Sequence, residues 1–178
     1  MKETEDCFLK VKKNYLKFLK KEKIFDKSAK EKIVNLKDYY IPMSFWIEKQ
    51  YKKKGKTLFL GLSGGQGSGK TTIGGILKII LKKFFKREIH ISSIDDFYKT
   101  LEERKKLSGK IHPLFETRGV PGTHDINLIK KFFQKVKMKK FKKLRLPRFD
   151  KSMDDRLKSK YFYTIKKKPE IIILEGWC

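Results

Sequence analysis

Apolar residues return at helical spacing through the N-terminal part of the chain. Phe8, Val11, Tyr15, Phe18 and Leu19 form one stripe, and a second run, Ile41 to Tyr51, is entered through Pro42. Residues 4–53 therefore read as helical, and Lys52 to Lys56 as a short basic link. The pattern then changes to an apolar run, Thr57 to Leu62, which predicts a strand, and returns to a helix over Thr72 to Phe85. Glu88 to Ile94 is a second strand, alternating at Ile89 and Ile91, and it ends in Asp95-Asp96-Phe97-Tyr98. Residues 99–124 carry turn residues and little periodicity, which predicts a loop, and a loop this rich in Gly, Pro, His and Asp favours function. Asp125 caps a helix over Ile126 to Lys139 with Ile129, Phe132, Phe133 and Val136 on one face. Leu144 to Phe149 is a short strand or extended arm, Asp150 to Arg156 a charged loop, and Glu170 to Leu174 a buried strand that ends in Glu175-Gly176. Strands alternating with helices predict an α/β fold around a parallel sheet of βαβ units, with a helical N-terminal extension.

Between the first strand and its helix, Gly64-Gly65-Gln66-Gly67-Ser68-Gly69-Lys70-Thr71 fills the pattern G-x-x-x-x-G-K-[ST]. Strand, glycine-rich loop and helix in this order are the context that makes the pattern a phosphate cradle. The glycines let backbone N–H groups wrap a polyphosphate, and the helix that begins near Gly69 adds its positive end. Lys70 reaches the outer phosphates, Thr71 offers a hydroxyl to Mg²⁺, and Thr72 continues the site. In open parallel sheets ligands gather at the carboxyl ends of strands. Here the first strand ends in this loop, the second in Asp95-Asp96 and the last in Glu175. These are the parts that phosphoryl transfer requires: a cradle for ATP, a base for the attacking hydroxyl and an acid near Mg²⁺.

Composition narrows the setting. The 178 residues suit one domain, on a prior of about 100–200 residues per domain. Lys and Arg total 46 against 20 Asp and Glu, a formal charge of +26, but only six are arginines. The lysines are spread along the chain in pairs and triplets rather than on one stripe, so a solvated surface accounts for most of them and the balance argues against a nucleic-acid role. Cys7 and Cys178 have neither metal-ligand nor disulfide spacing, which fits a reducing, cytoplasmic setting. The charged first residues, with no apolar run behind them, speak against a signal peptide, and the longest apolar runs fall well short of the ~20 residues of a membrane helix.

Six segments in order resemble one family. They are Gly61 to Thr72, Ser93 to Tyr98, His112-Pro113-Leu114, Thr117 to Asp125, Pro147 to Ser152 with Asp155-Arg156, and Glu175-Gly176-Trp177-Cys178. Together they resemble the D-glycerate 3-kinase type of P-loop kinase, which is related to uridine kinases, phosphoribulokinases and bacterial pantothenate kinases. The resemblance implies a three-layer P-loop NTPase fold with strand order 2-3-1, residues 1–55 as the helical extension and 56–178 as the kinase domain. It implies ATP and Mg²⁺ as cofactors, Lys70 and Thr71 on the phosphates and metal, Asp95 as catalytic base, and Glu175 on the metal or its waters. Arg118, His124 and Asp125 would shape the acceptor site. Arg148, Asp150, Lys151 and Arg156 would face the acceptor's carboxylate or the transferring phosphate, since an arginine grips a carboxylate through two parallel hydrogen bonds.

The expected reaction is transfer of the γ-phosphoryl group to a hydroxyl of a small acid, D-glycerate foremost. A uridine- or pantothenate-type acceptor, a basic nucleic-acid-binding protein and an inactive remnant are the alternatives. The resemblance also implies a longer protein, in which further strands, a lid and the adenine pocket follow Cys178. A truncated product is the leading expectation, with a split protein completed by a second chain and a reduced nucleotide-binding protein as rivals.

Overall fold

The computed structural model describes residues 2–24 and 28–176. Residues 25–27, inside the span read as helical, and Trp177 and Cys178, the end of the Glu-Gly-Trp motif, lie outside the described residues. In chain order the elements are α1 (Lys2–Lys21), α2 (Ala29–Asn35), α3 (Ile41–Lys54), β1 (Leu58–Ser63), α4 (Lys70–Lys83), β2 (Ile89–Ser93), α5 (Leu101–Lys110), α6 (Ile126–Lys137), β3 (Leu144–Leu146), β4 (Phe149–Asp150), β5 (Asp155–Arg156), β6 (Tyr163–Ile165) and β7 (Ile171–Gly176). They fall into two compact units, Met1–Ile91 with Pro169–Cys178, and Ser92–Lys168.

The first unit holds an α/β arrangement. β1, β7 and β2 form a three-stranded sheet with β7 in the middle, which is the order 2-3-1 expected from the sequence. β1 and β7 are parallel, with Leu58 opposite Ile171 and Ser63 opposite Gly176. Helix α4 separates two apolar clusters: Ile76 and Ile80 pack with Cys7, Val11 and Tyr15 of α1, whereas Leu77 and Leu81 pack with Leu58, Ile171 and Ile173 of the sheet. Gly75 permits the first of these contacts, because a Cβ there would lie 2.4 Å from the Phe18 ring. Acidic residues begin α1 and basic residues end it, which suits the helix dipole, and α3 stops at Gly55 in the left-handed conformation.

At the ends where β2 and β7 begin, charged groups close the unit. Arg87 donates from Nε to Glu48 Oε2 at 2.8 Å, from Nη2 to Glu48 Oε1 at 2.5 Å and from Nη1 to Glu170 Oε1 at 3.0 Å. Tyr51 and the Glu88 N–H also donate to Glu170, each at 2.8 Å. Burial alone would raise the pKa of Glu170, but these donors outweigh it and hold the carboxyl below its usual range.

In the second unit, residues 99–124 depart from the expected loop. Thr100 and Glu103 form a capping box that starts α5, and Pro113–Glu116 makes one turn of 3-10 helix. The charged loop after Phe149 contains a small hairpin, β4 with β5, and β6 pairs antiparallel with β3. Asp125 caps α6 as expected, accepting from the Leu128 N–H at 2.9 Å.

Candidate functional site

The glycine-rich loop joins β1 to α4, and its geometry follows from a missing cap. The N-cap of α4 is Gly69, with φ 79°, and no side chain satisfies the first N–H groups of the helix. Those donors, at the positive end of the dipole, are what an anion would complete. Gly64 is equally constrained by space, since a Cβ there would meet Ser68 Oγ at 2.7 Å. Lys70 folds back over the loop and donates from Nζ to the carbonyls of Gly64 at 2.6 Å and Gly65 at 2.5 Å. Gln66, Gly67 and Ser68 stay exposed at the loop's tip, while Thr72 turns half-buried into α4.

Beside this loop, Thr71 Oγ1 donates to Glu175 Oε1 at 3.2 Å. Glu175 Oε2 is buried and, among the described residues, has no hydrogen-bond partner. Buried polar atoms are normally satisfied, so an orphaned carboxylate oxygen next to a hydroxyl is a fitting place for a hard cation or one of its waters. The donor set therefore suits the Mg²⁺ that the sequence predicts at Thr71 and Glu175.

The second unit gathers most of the predicted acceptor residues in one network. Lys151 Nζ lies 2.7 Å from Asp95 Oδ2, and the Asp95 N–H donates to Ser93 Oγ at 3.2 Å. Its neighbour Asp96 plays a different part. Asp96 accepts from the Phe149 N–H at 3.2 Å, and burial raises its pKa despite that bond. His124 stacks on Tyr98 with centroids 4.1 Å apart, and its Nε2 is buried without a partner among the described residues. Burial pushes the His124 pKa down, with the charge of Asp95 pulling the other way, so the ring is held towards its neutral form.

Arg156 joins Asp125 at 3.1 Å and Glu103 at 3.3 Å, and Arg118 pairs with Asp154. Asp150 closes a turn, accepting from the Ser152 hydroxyl at 2.6 Å and the Ser152 N–H at 2.9 Å, bonds that keep its pKa low. Asp125, Asp150, Arg118 and Arg156 thus hold the unit together internally. Arg148 differs: it is exposed, and among the described residues its guanidinium has no hydrogen bond.

One residue of this network went unread in the sequence. Arg104 is fully buried on α5, donating from Nη1 to the Glu116 carbonyl at 2.5 Å and from Nη2 to Asp154 Oδ2 at 3.0 Å. It ties the turn after α5 to the turn between β4 and β5. Its signal was compositional, because an arginine in a chain with 40 lysines marks a place where a planar, multiply donating group is needed. Arg87, Arg118, Arg145 and Arg156 obey the same rule, each donating to an internal oxygen.

Comparison with known proteins places the chain beside several kinases. No protein-family model matches the chain. The chloroplastic D-glycerate 3-kinase of Arabidopsis thaliana is 33% identical over 156 residues, covering 78% of this chain and 34% of that protein. The probable ATP-dependent kinase TDA10 of Saccharomyces cerevisiae is 35% identical over 163 residues, covering 85% of this chain and 54% of the yeast protein. A solved D-glycerate 3-kinase from Cryptococcus neoformans var. grubii superposes with a TM-score of 0.67 at 28% identity, over 78% of this chain and 51% of that one. Over most of its length the chain is similar to D-glycerate 3-kinase-like P-loop kinases. It spans between about a third and about half of these relatives' lengths. It has the α/β fold with a parallel sheet that its sequence pattern predicts, and none of its described helices is long and apolar enough to cross a membrane.

Proposed function

We propose that the chain is built for ATP- and Mg²⁺-dependent transfer of the γ-phosphoryl group to a hydroxyl of a small hydroxy acid, D-glycerate foremost. Residues 1–55 would be the helical extension of a kinase domain over 56–178, working in a cytoplasmic setting that the free, buried Cys7 suits. The observation that carries this proposal is Glu175, whose buried oxygen, unpaired among the described residues, stands beside the Thr71 hydroxyl at a helix start without a side-chain cap.

On nucleotide binding Lys70 would leave the carbonyls of Gly64 and Gly65 for the outer phosphates, and the N–H groups from Gly67 to Thr72 would take the rest of the chain of phosphates. Thr71 and Glu175 would hold Mg²⁺, which when bound neutralises phosphate charge. Asp95, held by Lys151 and the Ser93 hydroxyl, would accept the proton of the acceptor hydroxyl as its oxygen bonds to the γ-phosphorus and the bond to the β-phosphate breaks, releasing ADP. Neutral His124, with a free buried Nε2, would orient that hydroxyl. Arg148 would grip the acid's carboxylate, being the arginine whose guanidinium has no hydrogen bond among the described residues.

The test is ADP release by the purified chain with D-glycerate, uridine and pantothenate as separate acceptors. Turnover with D-glycerate that disappears in Lys70→Ala is expected. Turnover with uridine or pantothenate and none with D-glycerate would overturn the acceptor assignment. Salt-sensitive DNA binding unaffected by ATP, with no turnover, would favour the nucleic-acid alternative.

A further inference from the structure

Charge is unevenly placed in the second unit. Its nine acidic residues all lie at 95–125 and 150–155, whereas residues 126–149 carry ten lysines and arginines, residues 157–168 carry five, and neither segment holds an acid. The even spread of lysines along the chain hides this, because the absence of carboxylates is what sets the two segments apart. All fifteen cations are exposed. Carboxylates of the unit are engaged elsewhere: Asp95 with Lys151, Asp125 and Glu103 with Arg156, and Asp154 with Arg104 and Arg118.

The fold brings the two segments together. β3 and β6 pair antiparallel, with Arg145 opposite Thr164 on the side away from the buried Leu144 and Ile165. Arg145 donates to the Ser159 carbonyl, which sets Lys158 and Lys160 close to it, and Lys168 Nζ donates to the Met138 carbonyl at 2.8 Å. That second bond draws the end of one basic run to the start of the other. Tyr161 and Tyr163, 54% and 53% exposed, stand among these cations, with the Lys160 ammonium 5.0 Å from the centre of the Tyr161 ring.

A face of this kind attracts a chain of phosphates, and exposed rings favour one whose bases are unpaired. A duplex keeps its bases stacked inside and offers the rings nothing. A lipid surface fits less well, because an interfacial helix needs a free apolar side and that of α6 is buried through Phe132 and Val136. We propose that the β3–β6 face and the basic run before it bind single-stranded nucleic acid, with the lysines and Arg145 on backbone phosphates and Tyr161 and Tyr163 stacked on bases. The face contains no residue of the phosphate loop, so this binding stands apart from the kinase reading rather than upon it.

The experiment is fluorescence anisotropy of a labelled oligouridine of about 15 nucleotides, titrated with the full chain from about 50 to about 200 mM salt. For wild type the slope of log affinity against log salt should be about −3 or steeper, the value for four or more phosphates at about 0.7 each. The quadruple variant Lys139→Gln, Lys140→Gln, Lys142→Gln and Lys143→Gln should bind about tenfold or more weakly, with a slope flatter by about 2 to 3. The same loss of charge on α1, in Lys13→Gln, Lys17→Gln, Lys20→Gln and Lys21→Gln, should weaken binding less than about threefold, since salt screens charges beyond about 10 Å. Tyr161→Ala with Tyr163→Ala should weaken it about fivefold or more at an unchanged slope, the worth of one stacked base. Equal weakening by the two quadruple variants would trace the binding to net charge at large and overturn the proposal. Duplex RNA bound as tightly as the single strand, with the tyrosine variant unaffected, would overturn it too. So would a Lys139–Lys143 variant that loses binding to phosphatidylserine vesicles while its affinity for oligouridine holds.

Discussion

Asp95 and Asp96 are neighbours with opposite surroundings, and the difference assigns their work. Asp96 is turned to a backbone N–H and burial raises its pKa, so it serves the fold of the turn after β2. Asp95 faces a lysine ammonium and is the one proposed as base. Asp95→Asn should lower the turnover number by about 10²- to 10⁴-fold, the usual worth of general-base catalysis, with ATP affinity unchanged. Steady-state kinetics beside a nucleotide titration would check this, and unchanged turnover would remove Asp95 from the chemistry. Arg148→Ala should raise KM for the acid by about ten- to a hundredfold, the worth of a charge-assisted hydrogen bond, with little change in turnover number. A separate residue sets pH dependence. Burial, and then the charge of Lys78, push the His90 pKa down to about 4. An unfolded histidine titrates near 6.5, so the unfolded chain binds the proton more readily and stability falls as the pH drops from about 6.5 to about 4, by about 3 kcal/mol in full. Denaturant unfolding at several pH values should show that loss in wild type and a flatter profile in His90→Gln; parallel profiles would contradict it.

Among the elements, α4 matters most because it serves the loop at one end and two apolar clusters along its length. Gly75→Leu drives a side chain into the Phe18 ring and should cost about 1–3 kcal/mol, read as a lower denaturant midpoint. Arg87→Ala leaves Glu48, which is 4% exposed, with only the longer Lys52 contact at 3.6 Å and should cost about 3 kcal/mol by the same measurement. The elements that alternate strand with helix were legible because apolar period and turn residues agree there, as in β1, α4 and β7. Helix α5 was not: its apolar positions are few and its one fully buried side chain is Arg104, so hydrophobic periodicity had nothing to detect. The capping box at Thr100 and Glu103 was the visible sign. Strand β6 and the β4–β5 hairpin are two or three residues long, shorter than any periodic signal. At the site, Lys70, Thr71 and Glu175 could be read from a motif and a strand end. The orphaned Glu175 oxygen and His124 ring nitrogen could not, because satisfaction of a polar atom depends on contacts distant in sequence.

At the scale of the molecule, the first unit carries the phosphate loop with Thr71 and Glu175, and the second carries Asp95 and the residues proposed for the acceptor. The formal charge of +26 favours any polyanion, so selectivity must come from the loop and its pair rather than from attraction at large. The central claim is that Gly64 to Thr71 with Glu175 forms a Mg²⁺-ATP site. Calorimetric titration of the chain with ATP, with and without Mg²⁺, tests it most directly when repeated on Lys70→Ala and Glu175→Gln. Saturable binding is predicted, strengthened by Mg²⁺, weakened in Lys70→Ala, and stripped of its Mg²⁺ enhancement in Glu175→Gln. Absence of saturable binding, or binding that neither substitution alters, would contradict the account.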